Sequence, residues 1–303
     1  MRIGINASGM LGNPSIERIE TQARTAADQG FASFWLAQAT TIDALTMLAA
    51  IGRDIPDIEF GTAVVPTYPR HPSMLASQAM TSQALIGGRL ALGIGLSHKP
   101  MIEGFYGISF DRPVRHMREY LSILMPLIEE GKANFDGDTL TWHGAITMPP
   151  DTQPCPVLVA ALGPQMLRLA GSRTAGTVLW MVGERTIREH IAPRIQESAA
   201  KAGRPAPRIV ASLPVCVTED EAATRARADR AFSMYALMPS YRAMLDREGV
   251  DTPTEVSILG SEAQVRDRLS AIAEAGATEF TAVEFCKTDR EREQTREVLR
   301  SFL

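Results

Sequence analysis

The sequence predicts an α/β protein with a (β/α)8 fold, the TIM barrel, because short apolar runs alternate with longer helical stretches about eight times. This alternation is typical of βα units on a parallel sheet. Several of the short runs are apolar at every position, as strands buried on both faces are. Barrels of this class fill about 250 residues or more as one domain, so we expect a single domain over residues 1–303.

The predicted elements follow one another in a regular order. Val-, Ile-, Leu- and Phe-rich runs predict strands at residues 3–6, 34–37, 58–65, 90–95, 157–161, 177–182, 209–217 and 280–284. Helical spacing of apolar residues predicts helices at residues 43–51, 72–86, 113–130, 163–172, 185–202 and 289–302. Two further helices are predicted after the N-cap signals Asn13 and Ser261, and they end at Gly30 and Gly276.

Two stretches exceed a minimal barrel. Residues 132–154, after the fourth barrel helix, are rich in Gly, Asp and Pro and predict a hairpin. Residues 219–260, after the seventh strand, predict a helical excursion that begins at a capping box formed by Thr218 and Glu221. The segment 96–112 is interpreted as a loop.

Charge and composition exclude several classes of protein. The chain has 31 Lys and Arg against 35 Asp and Glu, a formal charge of −4, whereas a domain that binds a nucleic-acid backbone is usually strongly basic. Neither a secretory signal nor an apolar run of membrane length is found, so we expect a cytoplasmic protein without a nucleic-acid or membrane partner. The three cysteines are far apart and lack metal-ligand spacing, so neither a disulfide framework nor a metal site is expected.

Candidate site residues follow four of the predicted strands, where barrel enzymes carry their chemistry. The Gly-Pro pair after the fifth strand opens a helix whose free amides could bind a phosphate. The candidates are Gln38 after the second strand, Thr62, Ala63 and Val64 on the third, Ser97 and His98 after the fourth, and Ala161, Leu162, Gly163, Pro164 and Gln165 after the fifth.

Each candidate also has a simpler interpretation. His98 could be a polar loop residue at the end of the fourth strand, and Gly163-Pro164 could be only a tight turn with Pro at the helix start. Gly93 and Gly95 suggest a dinucleotide-binding turn, but His98 stands where the third glycine of that motif belongs, which disfavours a nicotinamide-dependent reductase. Aromatic and Met side chains between Phe232 and Tyr241 are interpreted as a stripe that covers the barrel.

At these strand ends the sequence resembles the luciferase-like monooxygenase superfamily, within it the branch that uses the deazaflavin coenzyme F420. The resemblance is carried by an ordered set of segments, none of them decisive alone. They are residues 30–35, 43–46, 60–66 with 70–72, 87–95 and 156–164.

The resemblance implies a barrel whose strand-end pocket holds a flavin-like ring. In the family the third strand carries a bulge, often with a non-proline cis peptide, that supports one face of the ring, and here it falls on Ala63-Val64. The family binds the phosphate of the coenzyme at the turn after the fifth strand, which matches residues 162–165. Members are often homodimers, so the resemblance also implies a homodimer that binds a small-molecule substrate.

The sequence departs from the sugar-phosphate dehydrogenases of this branch. They have an acidic residue and a histidine after strand two and a glutamate after strand four, where this chain has Gln38, Ala39 and His98. Cationic residues for a sugar phosphate are also missing from residues 181–184. A sugar phosphate is therefore not the expected substrate.

The resulting prediction is hydride transfer between F420 and an organic substrate. His98 is expected to supply or accept the accompanying proton, since imidazole titrates near neutral pH, and Gln38 to hydrogen-bond cofactor or substrate. Two alternatives remain. The protein could be an FMN-dependent monooxygenase that uses reduced flavin and O2, or a non-catalytic barrel that retains only the flavin or deazaflavin pocket.

Overall fold

The computed structural model describes residues 1–38, 40 and 42–303. The strands are β1 (Arg2–Asn6), β2 (Ser33–Leu36), β3 (Glu59–Thr62), β4 (Val65–Pro66), β5 (Leu90–Gly95), β6 (Lys132–Asp136), β7 (Thr141–Ala145), β8 (Val157–Val159), β9 (Gly176–Trp180), β10 (Arg208–Val217), β11 (Ile258–Gly260) and β12 (Glu279–Glu284).

The helices connect these strands. They are α1 (Ile16–Asp28), α2 (Ala44–Gly52), α3 (Pro72–Leu85), α4 (Lys99–Tyr106), α5 (Pro113–Glu130), α6 (Pro164–Arg173), α7 (Glu184–Thr186), α8 (Ala192–Lys201), α9 (Glu221–Ala236), α10 (Pro239–Glu248), α11 (Pro253–Val256), α12 (Glu262–Glu274) and α13 (Asp289–Arg300). A 3-10 helix (Ala7–Gly12) follows β1, and a π-helical turn (Ile187–Ile191) joins α7 to α8.

Eight parallel strands close into the predicted barrel, in the order β1, β2, β3, β5, β8, β9, β10 and β12, with β12 pairing back to β1. The closed ring confirms the TIM-barrel prediction. Side chains of alternate residues point outward to the helices or inward. Trp35, Ala91, Leu158, Val178 and Val210 form the inward cluster, and the larger cluster packs between the strands and the helices.

A buried ionic network closes the end of the barrel where the strands begin. Glu279 on β12 is fully buried and accepts hydrogen bonds from Ser33 Oγ at 2.5 Å and from Trp35 Nε1 at 3.0 Å. Arg208 on β10 pairs with Glu279 at 2.7 Å and with Glu59 at 2.6 Å. This network fixes Trp35 inside the barrel, below the ends of the strands.

The two stretches outside the minimal barrel form the predicted kinds of structure. Strands β6 and β7 pair antiparallel as the hairpin. The second stretch contains α9 and α10, but it also contains α11 and the short strand β11, which pairs with β10 and which the helical pattern does not predict.

Some predicted boundaries are wrong. The third strand is not continuous, because residues 63 and 64 interrupt it between β3 and β4, and the segment predicted as a loop contains α4. Helix α1 is capped by Ser15 instead of Asn13, since the Ser15 side chain accepts from the Arg18 amide. The predicted capping box at Thr218 is also absent: Asp220 caps α9, while the Thr218 hydroxyl donates to Glu291.

Candidate active site

The Ala63-Val64 bulge lies against β5 at the mouth of the barrel. The peptide bond between the two residues is cis, as the resemblance implied. A Cβ atom on Gly95 would lie 2.6 Å from Val64 Cγ2, and one on Gly93 would lie 2.0 Å from the Thr62 carbonyl oxygen. The two glycines of β5 therefore make room for the bulge, which explains their spacing without a dinucleotide.

Thr62, which directly precedes this bulge, hydrogen-bonds to the neighbouring strand β5. Its side chain is fully buried. The hydroxyl donates to the Gly93 carbonyl at 2.7 Å and accepts from the Gly93 amide at 2.9 Å. The Thr62 side chain thus hydrogen-bonds to the backbone of β5. The half-buried Ala63 and Val64 pack on the inward cluster from the mouth side.

A sharp turn after β5 places His98 over the mouth. Ser97 has φ of +59°, in the left-handed region that few residues other than glycine adopt. His98 is then extended and forms the N-cap of α4, which has a proline in its first turn. The imidazole ring centroid lies 5.6 Å from that of Tyr241 on α10.

His98 and Tyr241 are both uncharged at neutral pH. Burial lowers the pKa of His98 below its usual 6.5. Burial raises the pKa of the Tyr241 hydroxyl, and the neighbouring Tyr235 raises it further. Within residues 1–38, 40 and 42–303, no charged side chain contributes to either shift. At pH 7 the neutral His98 ring can therefore accept a proton, and the Tyr241 hydroxyl keeps its own.

An aromatic wall continues from this pair across the mouth. Tyr235 contacts Tyr241 with ring centroids 5.0 Å apart, and Trp180 lies 6.0 Å from both Tyr235 and Phe232. Phe232 in turn lies 5.1 Å from Phe285. We call these rings, together with His98, the aromatic wall: His98, Trp180, Phe232, Tyr235, Tyr241 and Phe285.

The aromatic wall indicates the structural role of the second insertion, residues 219–260. Its rings on α9 and α10 contact residues that end or follow β5, β9 and β12. Trp180 has the same strand parity as the inward-pointing Val178, so it faces the mouth. The stripe predicted to cover the barrel is therefore also a wall of its opening. Sequence reasoning did not include Tyr241 or Trp180 among the site residues.

The turn after β8 brings the last five candidates to the same end of the barrel. Ala161 is buried, Leu162 and Gly163 are half-buried, and Pro164 and Gln165 are exposed. Gly163 is the N-cap of α6 and Pro164 is its first residue. A Cβ atom on Gly163 would meet no described atom within 4 Å. The first amides of α6, which an α-helix leaves without internal partners, thus border open space.

Gln38 lies beside the start of α2. Its Oε1 accepts from the Ala44 amide at 2.7 Å, and Asp43 caps the same helix by accepting from Thr46. Arg70, after β4, pairs with Asp43. Gln38 therefore lies at the end of the barrel where the strands end. Ala39, another residue that departs from the sugar-phosphate dehydrogenases, lies outside the described residues.

These candidates share one end of the barrel. A Cβ on Gly95 would also lie 3.2 Å from Ala160 Cβ, so the bulge, the end of β5 and the start of the β8 turn are in contact. Among the residues that the structure describes, no group of three or more His, Cys, Asp or Glu could hold a metal ion. None of the described helices is long and apolar enough to cross a membrane.

Comparison with known proteins identifies the family. The family described as luciferase-like monooxygenase matches residues 1–279. The chain belongs to this family.

Individual relatives agree with that assignment. A 5,10-methylenetetrahydromethanopterin reductase of Methanolobus tindarius is 26% identical over 249 residues, 82% of this chain and 76% of the relative. A putative coenzyme F420-dependent oxidoreductase of Mycobacterium tuberculosis is 29% identical over 240 residues, 74% of this chain and 69% of the relative. The solved structure of an F420-dependent secondary alcohol dehydrogenase with an F420-acetone adduct matches in fold, with a TM-score of 0.84, 20% identity and coverage of 100% of this chain and 98% of that one.

Proposed function

We propose that the protein is an F420-dependent oxidoreductase that transfers a hydride between the coenzyme and a small organic substrate. Membership of the luciferase-like family supports a flavin-like cofactor, and the 29% identical relative supports F420. The observation that carries the proposal is the convergence of the Val64 bulge, His98 and the open N-terminus of α6 at one end of the barrel.

The residues present fit such a coenzyme. Ala63 and Val64 offer a small apolar surface for one face of a planar ring. The open space at Gly163, beside the free amides of α6, suits a phosphate, because helix N-termini carry a partial positive charge and unpaired donors. Gln38, Ser97 and the residues from Ala161 to Gln165 are proposed to complete the contacts. When bound, F420 gives or takes a hydride at a ring carbon.

We propose that His98 supplies or accepts the proton that accompanies this hydride. Because burial keeps its imidazole neutral at pH 7, it can accept a proton from the substrate directly. Tyr241, whose pKa is raised by burial, keeps its proton and can donate a hydrogen bond to a substrate oxygen. The barrel supplies position and excludes water, while the cofactor supplies the redox chemistry.

The aromatic wall supports a substrate with an uncharged, largely apolar body. Its rings are half-buried, and stacking on aromatic rings is favourable for planar or apolar groups. Among the described residues, no charged side chain is a cause of the pKa shifts of His98 and Tyr241, so we propose that the part of the substrate beside these two groups is uncharged.

We also propose that the protein forms a single domain over residues 1–303, that it is a homodimer and that it is cytoplasmic.

An FMN-dependent monooxygenase is the second candidate, because the family name describes that activity and the same bulge and turn would hold FMN. Titration of the purified protein with oxidised F420 and, separately, with FMN, followed by fluorescence and absorbance, distinguishes the two. Micromolar or tighter binding of F420 alone supports the proposal. Preference for FMN, with O2 uptake once reduced FMN and a substrate are added, supports the monooxygenase. Binding of neither contradicts the assignment of the bulge and the turn.

A further inference from the structure

One buried histidine outside the candidate site contacts the proposed phosphate turn. His190 is only 2% exposed, and its Nε2 donates a hydrogen bond to the Leu162 carbonyl oxygen at 2.7 Å. A carbonyl can only accept, so this nitrogen carries the proton. Its Nδ1 is buried and meets no partner among the described residues. Within that part of the chain, the ring is therefore held by its bond to Leu162.

A break in helical regularity brings His190 to that position. Pro193 has no amide hydrogen, so the Glu189 carbonyl loses the partner that an α-helix would provide, and the proline ring crowds it. The helix continues through the π-helical turn, in which the Ala192 amide donates to the Ile187 carbonyl. Arg194 Nη1 donates to the carbonyls of Glu189 and His190, at 3.4 and 3.1 Å.

Helix α8, which continues from the turn that carries His190, packs closely against α6. A Cβ on Gly171 would lie 2.4 Å from the Ile195 carbonyl oxygen, so α6 and α8 approach backbone to backbone. Ser198 Oγ donates to the Arg168 carbonyl at 2.8 Å. His190 and the start of α6 thus belong to one rigid unit, and the histidine acts on the segment that enters that unit.

Peptide geometry links the Leu162 carbonyl to the Gly163 amide. The two groups belong to one planar trans peptide and point in opposite directions. A donor that fixes the carbonyl on one side therefore fixes the direction of the N–H on the other side. Gly163 borders the open space at the start of α6, so its amide direction matters for any anion that binds there.

We propose that His190 is a positioning residue: by holding the Leu162 carbonyl, it aims the Gly163 amide at the phosphate of the coenzyme. This inference rests on the proposed function. In this role His190 does not touch the ligand and acts only through the peptide.

The charge state of the ring agrees with this role. Burial lowers the pKa of His190, and the nearby charges of Arg247 and Arg194 lower it further, against the opposing effect of the bond to Leu162. The ring is therefore neutral at pH 7 and keeps a single proton on Nε2.

Two variants and two ligands test the proposal. His190→Leu removes the donor, whereas His190→Gln places an amide nitrogen at the same number of bonds from Cα as Nε2. Each variant is titrated with oxidised F420 and with the deazaflavin nucleoside that lacks the phosphate and the tail beyond it. We expect His190→Leu to weaken F420 binding about tenfold, the effect of one lost hydrogen bond, to leave nucleoside binding within about twofold, and His190→Gln to recover most of the F420 affinity.

The outcomes separate this inference from the proposed function. Wild-type protein that prefers F420 over the nucleoside, with His190→Leu showing the same preference, overturns the role of His190 alone. Equal weakening of both ligands by His190→Leu, without recovery in His190→Gln, assigns His190 a general structural role and also overturns it. Wild-type protein that binds both ligands equally, or neither, overturns the phosphate turn itself and the proposed function with it.

Discussion

Replacing Gly163 by alanine separates the space required by a ligand from the requirements of the fold. Gly163 has φ of −80° and ψ of 156°, a conformation open to any residue. The added methyl group would meet no described atom within 4 Å. The glycine is therefore needed neither for a strained backbone nor for close packing, and a methyl group there points into the space assigned to the phosphate.

The expected effects on stability and binding have opposite signs. Alanine has fewer unfolded conformations than glycine, so the free energy of unfolding should stay level or rise by about 0.4–1 kcal/mol. Loss of one hydrogen bond to a charged group costs about 1.5–3 kcal/mol. The Kd for F420 should therefore rise about 10- to 150-fold.

The assay is a fluorescence titration with oxidised F420, combined with urea unfolding of the apoprotein. Gly12→Ala is a matched control, because a Cβ there also meets no described atom within 4 Å, and it should leave F420 binding unchanged. The phosphate-free nucleoside should bind Gly163→Ala as it binds wild type. Unchanged F420 affinity in a folded Gly163→Ala protein would refute the assignment of this space to the phosphate.

The other predictions concern His98 and Glu279. His98→Ala should lower kcat about 10²- to 10⁴-fold, the usual contribution of acid–base catalysis, with F420 affinity nearly intact; full turnover in steady-state assays would remove the proton role. Burial lowers the pKa of His98, so the rate of substrate oxidation should stay constant from about pH 8 to about 6.5. The rate should fall only below about pH 6.5, as the imidazole becomes protonated. A fall in rate that begins above about pH 6.5, or one that persists in His98→Ala, contradicts this prediction. Glu279→Gln should lower the free energy of unfolding by about 3–5 kcal/mol, since it breaks a buried ionic network, while F420 affinity per folded molecule stays the same; a urea midpoint equal to that of wild type would show that the network adds no stability.

The barrel could be predicted because its strands are buried on both faces. Runs such as Leu90–Gly95 carry no polar residue, and helices between the strands have caps of their own, such as Asp43 on α2 and Ser261 on α12. Two helix starts were predicted wrongly, because neighbouring residues can serve as the N-cap equally well. Ser15 and Asp220, rather than Asn13 and Thr218, cap their helices, and local sequence offers both choices at each place.

The site was only partly predictable, because its parts are far apart along the chain. The position of His98 after β5 follows from the barrel rule, so it could be singled out from sequence. Its contact with Tyr241 joins residues 143 positions apart, since 241 − 98 = 143, and depends on how the second insertion folds back. Nothing in local spacing specifies that path, so the aromatic stripe could be recognised but not its place at the mouth.

The π-helical turn has a signal in the sequence, a proline inside a helical pattern. The spacing of apolar residues predicts a helix over residues 185–202 although Pro193 lies inside it, and a proline there removes a donor and crowds a carbonyl. The helix continues because its hydrogen-bonding register changes for one turn. Arg194 Nη1 donates to the carbonyls of Glu189 and His190 there. The same turn carries the buried histidine that reaches Leu162. Functional residues are expected where a strong local rule is broken inside an otherwise consistent element, and Pro193 is the feature of the sequence that marks this turn.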